Sequence, residues 1–189
     1  PEWMLLSYGK KMTASSYTEG KSPELACNEN VQNWWQASSS DRKEWLMMDL
    51  GKAMDVHAIQ INFADDEINI PVPGQIRGTT QARYIEEADI ATQYLLEGSV
   101  DGENFFVLED KTKADTDLSH DFLVYENGIE VRYIRLSDMK VPYGQKPCVS
   151  GLRVFGKGKG SLPEQVSYEV ERISGIDMEI VIDSQEKDE

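Results

Sequence analysis

Three aromatic residues stand in polar, turn-rich segments: Trp34 in NVQNWWQ, Tyr17 in SSYTEGKSP and Tyr143 in VPYGQKP. A ring held in a loop offers a flat surface to the apolar side of a pyranose, while polar neighbours serve its hydroxyls. Arg42 and Arg77 carry guanidinium forks that could donate such hydrogen bonds, although an exposed arginine is more often simply solvated. Tyr17 and Tyr143 equally suit plain loop packing. Trp35 follows Trp34 directly, and in an extended segment consecutive side chains point opposite ways. One ring of the pair is therefore expected in the core and the other outside.

Catalytic chemistry finds less support. Glycoside hydrolysis needs two carboxylates roughly 5 to 10 Å apart. Asp65-Asp66-Glu67 and Glu86-Glu87 cluster locally in a manner that suits a solvated acidic surface or a contact with a neighbouring domain. His57 falls in a strand and His120 opens one, with no nucleophile or metal-ligand motif around either. Cys27 and Cys148 lack CxxC spacing. They read as two free buried thiols or, in an exported chain, as one disulfide whose long loop would contribute about 4 to 5 kcal/mol in the chain-entropy model.

The chain has 189 residues, of which 40% are hydrophobic, enough for one domain with a fragment left over. Its formal charge of -15 disfavours nucleic acid and anionic membrane surfaces, which demand Lys and Arg to neutralise phosphate. Neutral or cationic partners are expected instead. No apolar run approaches the ~20 residues a membrane helix requires, so no membrane insertion is expected. The opening PEWMLLSYGKK reads as the middle of a longer polypeptide.

The elements that must position these side chains are strands. Leu46, Met48 and Leu50 alternate with Met47 and Asp49 until Gly51; Ile59, Ile61 and Phe63 then alternate with Ala58, Gln60 and Asn62. Two strands joined by a short polar turn are expected. Residues 94–100 and 105–108 form a hairpin around Asp101-Gly102. Strands at 121–125 and 131–136 are separated by an Asn127-Gly128 turn, and 151–155 closes the series. Helical evidence is weak and confined to 80–94, where the apolar positions make no stripe. Residues 65–91, with Pro71, Pro73, Gly74 and Gly78, read as a long excursion. The expected organisation is a β-domain over 1–158, a Gly/Lys/Ser linker over 159–163, and a β-hairpin within 164–189 too small to fold alone.

Several ordered segments together resemble the discoidin, or coagulation factor 5/8 type C, domain. They are ACNENVQNWW (26–35), EWLMMDLG (44–51), LEGSVDG (96–102), VRYIRL (131–136) and VSGLRVFG (149–156). The resemblance covers roughly residues 7–158 and implies an all-β jelly-roll sandwich of the galactose-binding-like type. A WMLLSY-like start and an SGLRVFGKG-like end narrow it to the accessory module of Bacteroides-type family 43 glycoside hydrolases, akin to carbohydrate-binding module family 32. In such proteins a fibronectin-like β-domain often follows, and 160–183 resembles its start. This likeness implies a non-catalytic module of an extracytoplasmic β-xylosidase or α-L-arabinofuranosidase, holding the enzyme near polysaccharide. The alternative is a scaffold that packs on the catalytic domain, through an apolar patch near Trp3, Leu5 and Leu6, without binding sugar. A lipid-binding role, the third possibility in such a family, fits the charge badly.

Many bacterial relatives hold Ca²⁺ between the first loop and the last strand, with an Asp where this chain has Asn28 and a Glu where it has Gly151. A hard cation prefers anionic oxygens, so losing both carboxylates weakens the expected site, although backbone carbonyls near Cys27 and Asn30 remain available. The resemblance also implies that Cys27 and Cys148 lie close together, where a disulfide would replace the ion as a staple.

Overall fold

The computed structural model describes residues 3–64 and 90–158. Contacts divide the chain into Pro1–Lys157 and Gly158–Glu189. Arg77, most of the 65–91 excursion, the linker and the C-terminal hairpin lie outside the described residues.

Among the described residues there are eight antiparallel strands: β1 (Met4–Leu5), β2 (Lys11–Ala14), β3 (Trp35–Gln36), β4 (Trp45–Phe63), β5 (Gln93–Ser99), β6 (Phe106–Asp110), β7 (His120–Lys140) and β8 (Cys148–Lys157). They are hydrogen-bonded in the order β1-β8-β4-β7-β5-β6, with β2 also beside β4 and β3 beside β8. Among the described residues the only helical turns are short 3-10 segments at Pro23–Ala26 and Pro142–Gly144.

The two long strands correct the expected turn positions. Leu46–Leu50 and Ile59–Phe63 are not a hairpin, and Asn127-Gly128 does not reverse the chain. Each pair of segments belongs to one continuous strand, β4 or β7, and the two strands pair with each other along almost their whole length. Extended, β4's 19 residues would span roughly 60 Å. The turn residues instead bend the ladder. Residues 50–53 face Arg132 alone, and 125–128 face His57 alone, so the two irregularities offset and restore the original register. Gly51 and Gly128 supply the positive φ of 92° and 79° that these bends require.

The bends create the sandwich. One half contains β2, the start of β4, the end of β7, β5 and β6; the other contains β1, β3, β8, the end of β4 and the start of β7. Alternation then sends Leu46, Met48, Leu50, Ile59 and Ile61 into the core, with Leu96, Leu136, Leu152 and Val154 from facing strands, all at most 1% exposed. Phe63 of one half meets Tyr94 of the other with ring centroids 5.9 Å apart. The Tyr94 hydroxyl donates to Asp121 Oδ2 at 2.5 Å. The expected 94–108 hairpin is present as β5 and β6.

Candidate functional site

The loop after β2, the β3–β4 connection and the β7–β8 connection gather at one end of the sandwich. Their backbones are tied together. Thr18 N–H donates to Gln36 O at 2.8 Å, Gln36 N–H to Lys21 O at 3.2 Å, and Ala37 N–H to Pro147 O at 3.0 Å. The Trp35 ring is fully buried, and its indole N–H reaches back to Ser16 O at 3.0 Å. A buried tryptophan thereby anchors the segment from below while satisfying its one polar atom.

Trp34 is half-buried rather than bare. The Lys21 ammonium stands over its ring, 4.1 Å from the centroid, within the range of cation–π attraction. Tyr17 is exposed at 54%. Tyr143 is half-buried in the Pro142–Gly144 turn, with φ 63° and ψ 24°, a left-handed conformation costly for a side chain of its size. Arg42 is exposed but occupied: Nε donates to Asp138 Oδ1 and Nη1 to Gln93 Oε1, both at 2.6 Å. Its fork joins the β3–β4 connection to the ends of β7 and β5. Tyr17 and Trp34 thus sit near the two ends of the β2–β3 connection and Tyr143 in the β7–β8 connection, while Arg42 serves as a brace between strands.

Two further residues shape this end. Glu44, only 9% exposed, accepts hydroxyl hydrogen bonds from Ser15 at 2.5 Å, Ser16 at 2.6 Å and Ser39 at 2.6 Å. Burial opposes its ionisation, but the three hydroxyls outweigh that and hold the carboxyl below its ordinary value. The Ser16 hydroxyl in turn accepts the Ser38 N–H at 3.0 Å. Glu44 therefore ties the loop bearing Tyr17 to the one that follows Trp34. The serine pair at 15–16 and the three serines at 38–40 were the available sequence signal for it, whereas Lys21 carried none beyond its loop.

The first loop and the last strand meet through an ion pair. Arg153 donates from Nε to Glu29 Oε2 at 3.2 Å and lies 3.0 Å from Glu29 Oε1 through Nη2; its Nη1 donates to Gln60 Oε1 at 3.1 Å. Asn28 Oδ1 is taken by the Asn30 N–H at 3.0 Å, and a side chain at position 151 would lie against Asn62. These residues do not form an anionic cradle for Ca²⁺, and among the described residues no three His, Cys, Asp or Glu side chains gather for a metal. Cys27 and Cys148 are buried free thiols rather than the disulfide considered above. Cys27 Sγ donates to Lys10 O at 3.4 Å, whereas Cys148 Sγ donates to Lys146 O at 3.5 Å and accepts from Gln36 Nε2 at 3.4 Å.

The histidines are structural in their contacts. His57 stacks on Trp3 with centroids 5.4 Å apart, and His120 Nε2 lies 3.3 Å from Gln60 Nε2.

The F5/8 type C domain pattern matches residues 11–73. No curated protein matches the sequence. Among solved structures, the chain resembles chitosan-binding module 1 of a chitosanase/glucanase from Paenibacillus sp. IK-5 at 18% identity and a TM-score of 0.60, covering 81% of this chain and 99% of that one. The family 32 carbohydrate-binding module of NanJ from C. perfringens, solved with galactose, is similar at 16% identity and a TM-score of 0.59, covering 82% and 99%. A family 89 glycoside hydrolase from Clostridium perfringens gives 23% identity and a TM-score of 0.60, with 90% of this chain spanning 16% of that enzyme. The fold is therefore the galactose-binding-like jelly-roll sandwich that those solved modules also have.

Proposed function

We propose that this chain is a carbohydrate-binding module of a multidomain glycoside hydrolase of the β-xylosidase or α-L-arabinofuranosidase type. It would act outside the cytoplasm and hold the enzyme's catalytic domain near polysaccharide. The observation that supports this reading is that the β2–β3 connection, which carries Tyr17 and Trp34, and the β7–β8 connection, which carries Tyr143, are both bonded through their backbones to residues 36–37. This end of the sandwich can take the apolar face of a sugar and offers loop hydroxyls and amides around it. The family pattern and the binding-module folds are consistent with it. Multivalent display would strengthen individually weak contacts. Calorimetric titration against xylan, arabinan and galactosides tests the reading. Trp34→Ala should abolish binding with the melting temperature little changed, whereas Trp35→Ala should destabilise by about 3 to 5 kcal/mol. Binding undiminished in Trp34→Ala would remove this end of the sandwich from the role.

A second reading, a scaffold that packs on the catalytic domain, is favoured by a different surface. Leu5, Phe155, Ala58 and Val124 stand opposite one another across β1, β8, β4 and β7. Phe122 and Val124 are 52% and 48% exposed, and Phe122 meets Phe155 edge-on at 6.4 Å. This sheet face replaces the patch expected at Trp3 and Leu6, because Trp3 stacks on His57 and Leu6 is buried. Silence across every glycan tested, with charged substitutions at Phe122 and Val124 weakening association with the catalytic domain, would select it.

A further inference from the structure

Lys21 governs what can lie on Trp34. With its ammonium 4.1 Å from the ring centre, a neutral pyranose laid on that face must push the cation aside and forfeit its attraction to the ring. The main chain that carries the lysine is fixed. Its N–H donates to Thr18 O at 2.8 Å and its carbonyl accepts from Gln36, two residues beyond Trp34, at 3.2 Å. Among the described residues Lys21 has no ion-pair partner, in a chain with 34 Asp and Glu against 19 Lys and Arg. Glu24, three residues on, accepts instead from the Ser22 hydroxyl at 2.6 Å. Among the described residues this ammonium therefore answers to the ring rather than to a carboxylate.

Resting on the carbohydrate-binding reading above, we infer that this end selects a sugar bearing a carboxylate, a uronic acid residue within a glycan. The pyranose stacks on the indole while its carboxylate, carried at the ring edge, draws the ammonium from the ring centre to the rim. Lys21 then exchanges a cation–π contact for an ion pair, and the sugar takes the vacated face. A neutral sugar displaces the same ammonium into water with no such exchange.

The test is calorimetric titration of the full 189-residue chain with oligogalacturonate, its methyl ester and a sulfated galactan oligosaccharide. The acid should bind roughly fivefold more tightly than the ester at low salt, the size expected of one accessible ion pair. That ratio should fall towards one as the Debye length shrinks to about 3 Å near 1 M salt. Lys21→Gln should bring the ratio to about one, and Lys21→Arg should restore it; melting curves establish that each variant is folded. Equal affinity for acid and ester overturns the inference and leaves the carbohydrate reading standing. Sulfated galactan binding as tightly as the acid overturns the uronate assignment in favour of a general anion contact. Silence from all three probes and from the neutral glycans overturns both.

Discussion

At the scale of single residues, Glu44 and the two cysteines make the sharpest demands. Glu44 is ionised by choice of neighbours: three serine hydroxyls donate to it, so its folded value lies below the ordinary 4.5 while the unfolded chain returns to that value. A depressed carboxyl contributes stability that is fully present above the unfolded value and is lost as pH falls through the folded one. Melting temperature should therefore decline on acidification below about pH 4.5, and Glu44→Gln should flatten part of that decline while lowering stability at pH 7. A Glu44→Gln protein with an unchanged pH profile would show that the hydroxyl cluster does not favour the anion. The thiols make a second demand. Both are buried and free, and burial pushes the Cys27 thiol up, away from the reactive thiolate. Iodoacetamide should add slowly to the native protein and twice in guanidinium without reductant, read by mass. Absence of any adduct in guanidinium would reveal a disulfide.

At the scale of elements, the strands and the Asp101-Gly102 hairpin were legible in the sequence, and the continuity of the two long strands was not. Alternation placed Leu46, Met48, Leu50, Ile59 and Ile61 on the inner face because burial on one side of a pleated strand imposes a period of two. Gly51 and Asn127-Gly128 gave equally clear turn signals, yet a positive φ serves a bulge as well as a hairpin, and only pairing with a common long partner distinguishes the two. The candidate site divides in the same way. An aromatic pair in a polar loop was readable as one ring in and one ring out, but Lys21 over Trp34 and Asp138 on Arg42 depend on which loops the fold brings together. Gly156 shows how closely the elements approach. A Cβ there would overlap the Asp55 carbonyl oxygen of β4 and crowd Val56 Cα, and backbone cannot yield as a flexible side chain can. Gly156→Ala should cost about 1 to 3 kcal/mol, seen as a fall of several degrees in melting temperature. An unchanged melting point would mean that β8 and β4 can separate at no cost.

At the scale of the whole molecule, charge acts in two opposed senses. A net charge of -15 on one chain of 189 residues repels itself in the compact state and favours expansion. The ion pairs that offset this are local and partly exposed, such as Arg132 with Asp49 at 2.8 Å and Arg135 with Glu97 at 3.0 Å. Added salt weakens both, but exposed pairs are each worth little. Raising NaCl from about 10 mM to about 150 mM shortens the Debye length from about 30 Å to about 8 Å, which removes much of the long-range repulsion and leaves short contacts less affected. The melting temperature should rise by a few degrees over that range, read by circular dichroism. A fall would mean that the ion pairs dominate the repulsion. The same salt series should weaken an acidic sugar held by Lys21, so stability and affinity should move in opposite directions in one titration. Coincident movement would indicate that any loss of binding at low salt reflects a less stable fold rather than a change at Trp34 itself.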